Sequence, residues 1–193
     1  ADEIQCGMGR TGTFLACDAL GVAPDYITLS KSLGGGLAKV AAVLIRRDRY
    51  VPDFDRHHSS TYAEDDFSSL IALKTLELLD DAALAKVRER GVRLLDVLHR
   101  GRAKFPDVVA GVRGRGLLAG LEFRVQDDSR SFILRMLAAS EDLVPVLAGY
   151  LFNVHGIRVL PTMSDPFTFR FEPSADGIIR IEYYHDVGCA GHL

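Results

Sequence analysis

The sequence has few cysteines, no long run of basic residues and no long apolar run. Cys6, Cys17 and Cys189 form neither an even set nor a Cys-x-x-Cys pair, which favours free thiols in a reducing compartment. A net charge of -3 without a basic run argues against a nucleic-acid ligand. No apolar run approaches the roughly 18 residues of a membrane helix, and no signal peptide is visible. We therefore expect a cytoplasmic protein that binds a small molecule and neither nucleic acid nor membrane.

The composition is that of a folded protein. Of the 193 residues, 48% are hydrophobic and 25% are charged. This supplies a sizeable core for one large domain or two small ones. A helical pattern is interrupted at Lys104-Phe105-Pro106-Asp107. We therefore expect two domains, 1–104 and 105–193.

The first half of the chain predicts strands followed by helices. Tyr26 to Leu29 and Ala41 to Ile45 are short, apolar runs typical of a sheet that is buried on both faces. Two helical stripes follow, and Asp65 or Asp66 is expected to cap the first. These helices would pack as a layer against the sheet.

The second half predicts a mixture of strands and one long helix. Arg113-Gly114-Arg115-Gly116 is expected to open a strand over 117–125. A helix over 131–152 should follow, with a kink at Pro145. Two more strands are expected over 157–160 and 167–171.

Lys31 is the most informative residue in the chain. Alone, a lysine after a strand is usually a solvated surface residue. Here Gly34-Gly35-Gly36 follows it, and glycine lets the backbone come close to a bound ring or phosphate. Asp2 should stand at the carboxyl end of a buried strand, where ligand-facing residues of α/β sheets lie. Because only Ala1 precedes Asp2, we expect the sequence to be part of a longer protein.

An ordered set of motifs resembles a known family. The motifs are Asp2 to Gly12, Pro24 to Lys31, Ser60-Thr61-Tyr62 and Arg113 to Gly116. Together they resemble the class III aminotransferases, which are fold type I pyridoxal phosphate enzymes. The resemblance implies an α/β fold: the C-terminal part of a large domain with a mixed, mostly parallel sheet, followed by a small α+β domain.

The resemblance also implies residue roles. Lys31 would be the lysine that forms a Schiff base with pyridoxal phosphate, and Asp2 would pair with the ring nitrogen. Gln5 would hydrogen-bond near the phenolic oxygen of the ring. Thr61 would bind the cofactor phosphate of the neighbouring subunit, which implies a homodimer. The loop from Gly7 to Gly12 is expected to be a tight turn that shapes the site.

Arg170 resembles the arginine with which the family holds a substrate carboxylate, a task that suits its planar two-pronged donor. The alternative is an ion pair with Glu172. No metal site is expected. His57 and His58 lack further ligands, and Cys189 with His192 falls short of the four that structural zinc needs.

The implied activity is transamination from an amino acid donor to a ketone or aldehyde acceptor. Ala63-Glu64-Asp65-Asp66 departs from the family pattern and favours a secondary-metabolite pathway. The stretch 180–188 does not resemble the closing helix of the family, and the N-terminal half of the family is absent. We therefore expect the fragment alone to be inactive. Two alternatives stay open: a pyridoxal phosphate-dependent aminomutase or epimerase, and a non-catalytic dimerisation or docking fragment.

Overall fold

The computed structural model describes residues 1–57, 61, 63, 65–162, 164–174, 183–185 and 189–191. The chain divides into two compact units, Ala1–Arg88 and Glu89–Leu193. The division falls inside a helix, Asp81–Lys104, whereas the domain boundary that the sequence predicts coincides with the end of that helix. The predicted domains, 1–104 and 105–193, stay a prediction.

Unit 1 contains a two-stranded sheet and helices. Its elements are β1 (Tyr26–Leu29), β2 (Ala42–Ile45), α1 (Asp53–His57), α2 (Asp66–Leu78) and short 3-10 turns over Asp18–Leu20, Lys31–Gly34 and Arg47–Arg49. Strands β1 and β2 are antiparallel, with Tyr26 opposite Ile45 and Leu29 opposite Ala42. On its other side β1 receives a parallel bridge from Asp2 to Thr28. Both strands therefore form where the apolar runs predict them.

The predicted burial of these strands on both faces is wrong for this chain taken by itself. Leu29 joins a core with Met8, Leu15, Cys17, Leu33 and Ala72. Val43 and Leu44 of β2, however, are 43% and 44% exposed. The described part of unit 1 thus supplies one packing layer over the sheet and leaves part of β2 uncovered.

The start of α2 is set by a side chain, as the sequence predicts. Asp65 is the N-cap residue, and its Oδ2 accepts a hydrogen bond of 2.7 Å from the backbone N–H of Ser68. Such a cap satisfies a donor that the first helical turn leaves unpaired.

Unit 2 is an α+β unit built on an antiparallel sheet. The helix that starts at Asp81 is α3 (Asp81–Lys104); the other elements are β3 (Val109–Arg115), β4 (Leu118–Phe123), α4 (Phe132–Ala139), α5 (Leu143–His155), β5 (Leu160–Pro161), β6 (Thr168–Phe171), β7 (Tyr183–His185) and β8 (Cys189–Gly191). The main sheet has the order β3-β4-β6-β5, and β7 pairs with β8 apart from it. Val144, Val159 and Phe169 form the core beneath this sheet.

The motif from Arg113 to Gly116 does not open a strand. Its first three residues end β3, and the turn into β4 follows. Strand β3 was missed because its glycines and arginines break the apolar alternation that marks a strand. Arg113 is used inside the unit: Nη2 lies 3.1 Å from Asp165 Oδ2 and 3.3 Å from Thr168 Oγ1, which ties β3 to β6.

The single helix predicted over 131–152 is also wrong. Helix α4 ends at Ala139, and Glu141 takes a left-handed conformation with φ of 59° before α5 begins. Pro145 lies in the first turn of α5, where its missing N–H removes no helical hydrogen bond, so it does not kink the helix. The later strands are shorter than predicted: β5 covers Leu160–Pro161 and β6 covers Thr168–Phe171.

The predicted C-terminal departure, 180–188, lies mostly outside the described residues; Tyr183 to His185 form β7. None of the helices in the described ranges combines the length and the apolar character that crossing a bilayer requires.

Two glycines in helices of unit 2 give a matched test of the packing. A Cβ on Gly91 in α3 would lie 2.5 Å from the Cα of Gly116, whereas a Cβ on Gly149 in α5 would meet no atom within 4 Å. We expect Gly91→Ala to lower the free energy of unfolding by about 1–3 kcal/mol through overpacking. Gly149→Ala should raise it by about 0.5–1 kcal/mol because alanine favours the helix. Urea unfolding curves measure both, and equal stabilisation by the two changes would contradict the packing.

Candidate cofactor site

Asp2 is held beside β1 by backbone pairing. Thr28 N–H donates to the Ala1 carbonyl at 3.0 Å, and Glu3 N–H donates to the Thr28 carbonyl at 3.0 Å. The exposed carboxylate is held through Oδ1, which accepts from Ile4 N–H at 3.0 Å and from Thr28 Oγ1 at 3.4 Å. Backbone and side-chain hydrogen bonds together thus hold Asp2 against β1.

Lys31 lies just past the end of β1 and starts the turn Lys31–Gly34. Its side chain is exposed. Its φ of 48° is left-handed, a conformation that costs an L-residue about 1 kcal/mol or more. Ser30 Oγ supports the turn by donating to the Val40 carbonyl at 3.0 Å. Strained residues of this kind occur preferentially at ligand sites.

The structure brings Asp2 and Lys31 to the same edge of the sheet. Asp2 is bridged to Thr28 in parallel, and Lys31 follows from the same strand. A spacing of about 4.8 Å between strands and about 3.3 Å per residue places the two Cα atoms within roughly 11 Å. Both residues are exposed: the carboxylate is carried by backbone that pairs with β1, and the amine by the turn that follows this strand. Their contact with a pyridoxal ring stays a prediction.

The loop after Gln5 is tight, as predicted, and its glycines pack against protein atoms. Gln5 itself is half-buried and has contacts of its own. Gly9 and Gly12 have φ of 82° and 92°. A Cβ on Gly9 would lie 2.6 Å from Leu79 Cδ1. Arg88 Nη1 donates to the Gly12 carbonyl at 2.7 Å and anchors the far side of the loop.

The glycine run after Lys31 has a packing role that the sequence did not reveal. Gly35 has φ of 59°, and a Cβ there would lie 2.8 Å from Thr75 Oγ1 on α2. A Cβ on Gly36, in contrast, would meet nothing within 4 Å. At Gly35 the missing side chain therefore lets the turn approach a helix, and an approach of the glycine run to a ligand stays a prediction.

Thr61 is exposed in a turn. Residues 58–60, 62 and 64, which include His58, lie outside the described residues. The binding of a neighbouring subunit's cofactor phosphate by Thr61 stays a prediction.

Arg170 belongs to unit 2. On β6 it lies opposite Gly120 of β4 and Leu160 of β5. Its Nε is 2.9 Å from Glu172 Oε1, so the ion pair that the sequence left as an alternative is present. The two charges are close, but the contact is poorly directed, because Nε has no partner with hydrogen-bond geometry. Its binding of a substrate carboxylate stays a prediction.

Glu3 is a buried carboxylate next to Asp2 that no motif of the sequence indicates. The residue is 2% exposed. Its Oε1 accepts from Cys17 N–H at 2.8 Å, and its Oε2 accepts from Ala16 N–H at 3.0 Å and from Cys6 Sγ at 3.1 Å. Burial alone would raise the pKa of this carboxyl, but the hydrogen bonds from Cys6, Ala16 and Cys17 outweigh it and lower the pKa. Alternation could have found it: if Asp2 faces a ligand, the next side chain faces the core.

No group of three or more His, Cys, Asp or Glu in the described part of the chain is arranged to hold a metal ion. The side chain of Cys189, and all of His192, lie outside that part.

Solved structures of similar fold are aminotransferases. The ornithine aminotransferase from Toxoplasma gondii ME49 is 30% identical with a TM-score of 0.72, and the match covers 90% of this chain and 38% of that one. For the Plasmodium falciparum ornithine delta-aminotransferase the values are 28%, 0.67, 91% and 40%. For the acetylornithine aminotransferase from Elizabethkingia anophelis they are 26%, 0.70, 91% and 40%. The chain thus spans about 40% of the length of these structures.

The fold is therefore that of part of a fold type I, pyridoxal phosphate-dependent transaminase, which confirms the α/β class that the motifs imply. Residues 1–164 match the family model of class III aminotransferases. The chain belongs to the class III aminotransferase family. Pyridoxal phosphate is the cofactor of this family. A second structure of the T. gondii enzyme is described as having partial occupancy of this cofactor at its active site.

The environment of Cys6 predicts that its thiol reacts slowly with alkylating reagents. Burial and the neighbouring Glu3 carboxylate raise the pKa of Cys6 to about 11. At pH 8 we expect its alkylation by iodoacetamide to be about 20-fold slower than that of an ordinary cysteine, because the loss of thiolate exceeds the gain in nucleophilicity. Mass spectrometry of the Cys6 peptide measures the rate against pH. A rate that levels off near pH 8.5 would contradict the raised pKa.

Proposed function

We propose that the protein is a pyridoxal phosphate-dependent aminotransferase, which moves an amino group from an amino acid donor to a ketone or aldehyde acceptor. The observation that carries the proposal is the placement of Lys31 and Asp2 at one sheet edge, each held by pairing with β1 or by the turn after it. Membership of the class III family supports it.

Lys31 and Asp2 would act at opposite ends of the cofactor ring. The cofactor, when bound, supplies an aldehyde and an electron-withdrawing ring. Asp2 would keep a proton on the ring nitrogen, because a nearby carboxylate raises the pKa of a pyridine nitrogen. Lys31 Nζ would hold the aldehyde end until the amino donor displaces it. It would then take the proton from the Cα of the donor as a general base and deliver it, as an acid, to the cofactor carbon that carried the aldehyde.

Three other residues would orient the reactants. Gln5 would hydrogen-bond near the phenolic oxygen, and Thr61 would bind the phosphate of the neighbouring subunit, which makes the protein a homodimer. Arg170 would bind the donor carboxylate, and the poorly directed contact with Glu172 supports an exchange of one carboxylate for another.

The proposal includes a cytoplasmic location and a secondary-metabolite acceptor. Free thiols at Cys6 and Cys17 support a reducing compartment. The secondary-metabolite assignment is supported by the departure of residues 63–66 from the family pattern. Because Asp65 is explained by its role as the N-cap of α2, only the other three positions support this assignment.

Lys31→Ala tests the anchoring amine. We expect the whole protein to show a cofactor absorbance band that borohydride bleaches, with the pyridoxyl group recovered on the Lys31 peptide by mass spectrometry. Lys31→Ala should lose this label because no other amine replaces it at the aldehyde.

Lys39→Ala is the matched control, since Lys39 is also an exposed lysine in the segment between β1 and β2. It should keep the label. Labelling that survives in Lys31→Ala at the level of the Lys39 variant would exclude Lys31 as the anchor.

Arg170→Ala tests the donor site. We expect KM for an amino acid donor to rise by about 10- to 100-fold, the equivalent of one charged hydrogen-bonded pair. An amine donor without a carboxylate should keep its KM. Arg158→Ala removes an exposed arginine from the same unit and serves as the control. An equal rise of KM in the two variants would show that Arg170 has no specific role.

A further inference from the structure

Glu3 is a charged group in a buried position, where the loss of hydration destabilises a charge. Carboxylates are seldom this buried unless they are paired. In the described part of the chain, its hydrogen-bond partners are neutral groups and not cations. Three donors converge on it instead: the backbone N–H groups of Ala16 and Cys17, and the thiol of Cys6. The carboxylate therefore closes the whole loop from Ile4 to Cys17 onto the segment that carries Asp2.

The same loop also holds Asp2. Ile4 N–H donates to Asp2 Oδ1 at 3.0 Å, and Cys6 Sγ lies 3.3 Å from the Asp2 carbonyl and 3.1 Å from Glu3 Oε2. The backbone N–H of Glu3 is bonded to Thr28 of β1. Because adjacent side chains on an extended segment point to opposite sides, an anchored Glu3 sets the direction of Asp2.

We propose that Glu3 is a positioning residue for the cofactor: its buried carboxylate clamps the loop from Ile4 to Cys17 so that Asp2 is held in one orientation towards the ring nitrogen. This inference rests on the proposed function. Glu3 touches neither the ring nor the substrate in this role, and it acts through Asp2. Sites whose supporting residues are fixed in this way lose affinity when the support is removed.

Glu3→Gln is the most informative variant, because it keeps the shape of the side chain and removes its charge. A carboxamide offers one acceptor oxygen and an NH2 donor, so it cannot accept from all three donors. In the cofactor-free whole protein, hydrogen exchange of the segment that contains Ala16 and Cys17 should accelerate. In the reconstituted protein, cofactor affinity should fall at least about tenfold. The pKa of the ring nitrogen, followed by ¹⁵N NMR of labelled cofactor, should fall by about one unit or more.

Ala72→Gly is the matched control. Ala72 is a buried residue of α2 in the same unit, and glycine there lowers stability without touching the loop hydrogen bonds. It should lower the unfolding midpoint and leave the cofactor affinity and the ring-nitrogen pKa unchanged. If Glu3→Gln behaves like this control, Glu3 is only structural and the inference is overturned.

Glu3→Asp keeps the test usable if Glu3→Gln does not fold. It retains the charge but retracts the oxygens by one methylene, so smaller changes of the same sign are expected, and unchanged cofactor parameters would again overturn the inference. Failure of the proposed function is distinguishable, because the unmodified protein would then acquire no borohydride label on Lys31. If the unmodified protein acquires the borohydride label on Lys31 but the Glu3 variants leave the cofactor affinity and the ring-nitrogen pKa unchanged, only the positioning role of Glu3 is excluded.

Discussion

The parallel pairing of the first residues with β1 is the interaction on which the site depends. Two backbone hydrogen bonds of 3.0 Å, made by Thr28 to Ala1 and to Glu3, set the register of Asp2 on the strand that leads to Lys31. A shift of this register by one residue would reverse the directions of Asp2 and Glu3. The exposed carboxylate and the buried carboxylate would then exchange places.

Around that register, unit 1 supports the site by rigid packing. Glu3 closes the loop at Ala16 and Cys17, and Arg88 holds it at Gly12. On the lysine side, Gly35 lets the turn after β1 approach α2 closely. Few of these contacts involve long side chains in solvent, so little conformational entropy opposes the arrangement. The site is thus preorganised by backbone hydrogen bonds and buried groups.

The parts that the sequence predicts are those with short-range signals. The apolar run of β1 and the Asp65 cap of α2 each lie within a few residues of the structure that they specify. The break between α4 and α5 has no such signal, because Pro145 suits both a kink and a first helical turn. Glu3 was missed because its partners lie in a later loop, and only the folded chain brings them together. The roles of Thr61 and Arg170 come only from the family resemblance and stay predictions, because no short-range pattern in the sequence specifies them.

In the proposed site, Asp2 and Lys31 bracket one pyridoxal ring. A crystal structure of the whole protein with pyridoxal phosphate tests it most directly. We expect an Asp2 carboxylate oxygen about 2.7–2.9 Å from the ring nitrogen, as in a charge-assisted hydrogen bond, with Lys31 Nζ bonded to the aldehyde carbon of the same ring. A ring that is bound elsewhere, or that contacts one of these residues without the other, would contradict it.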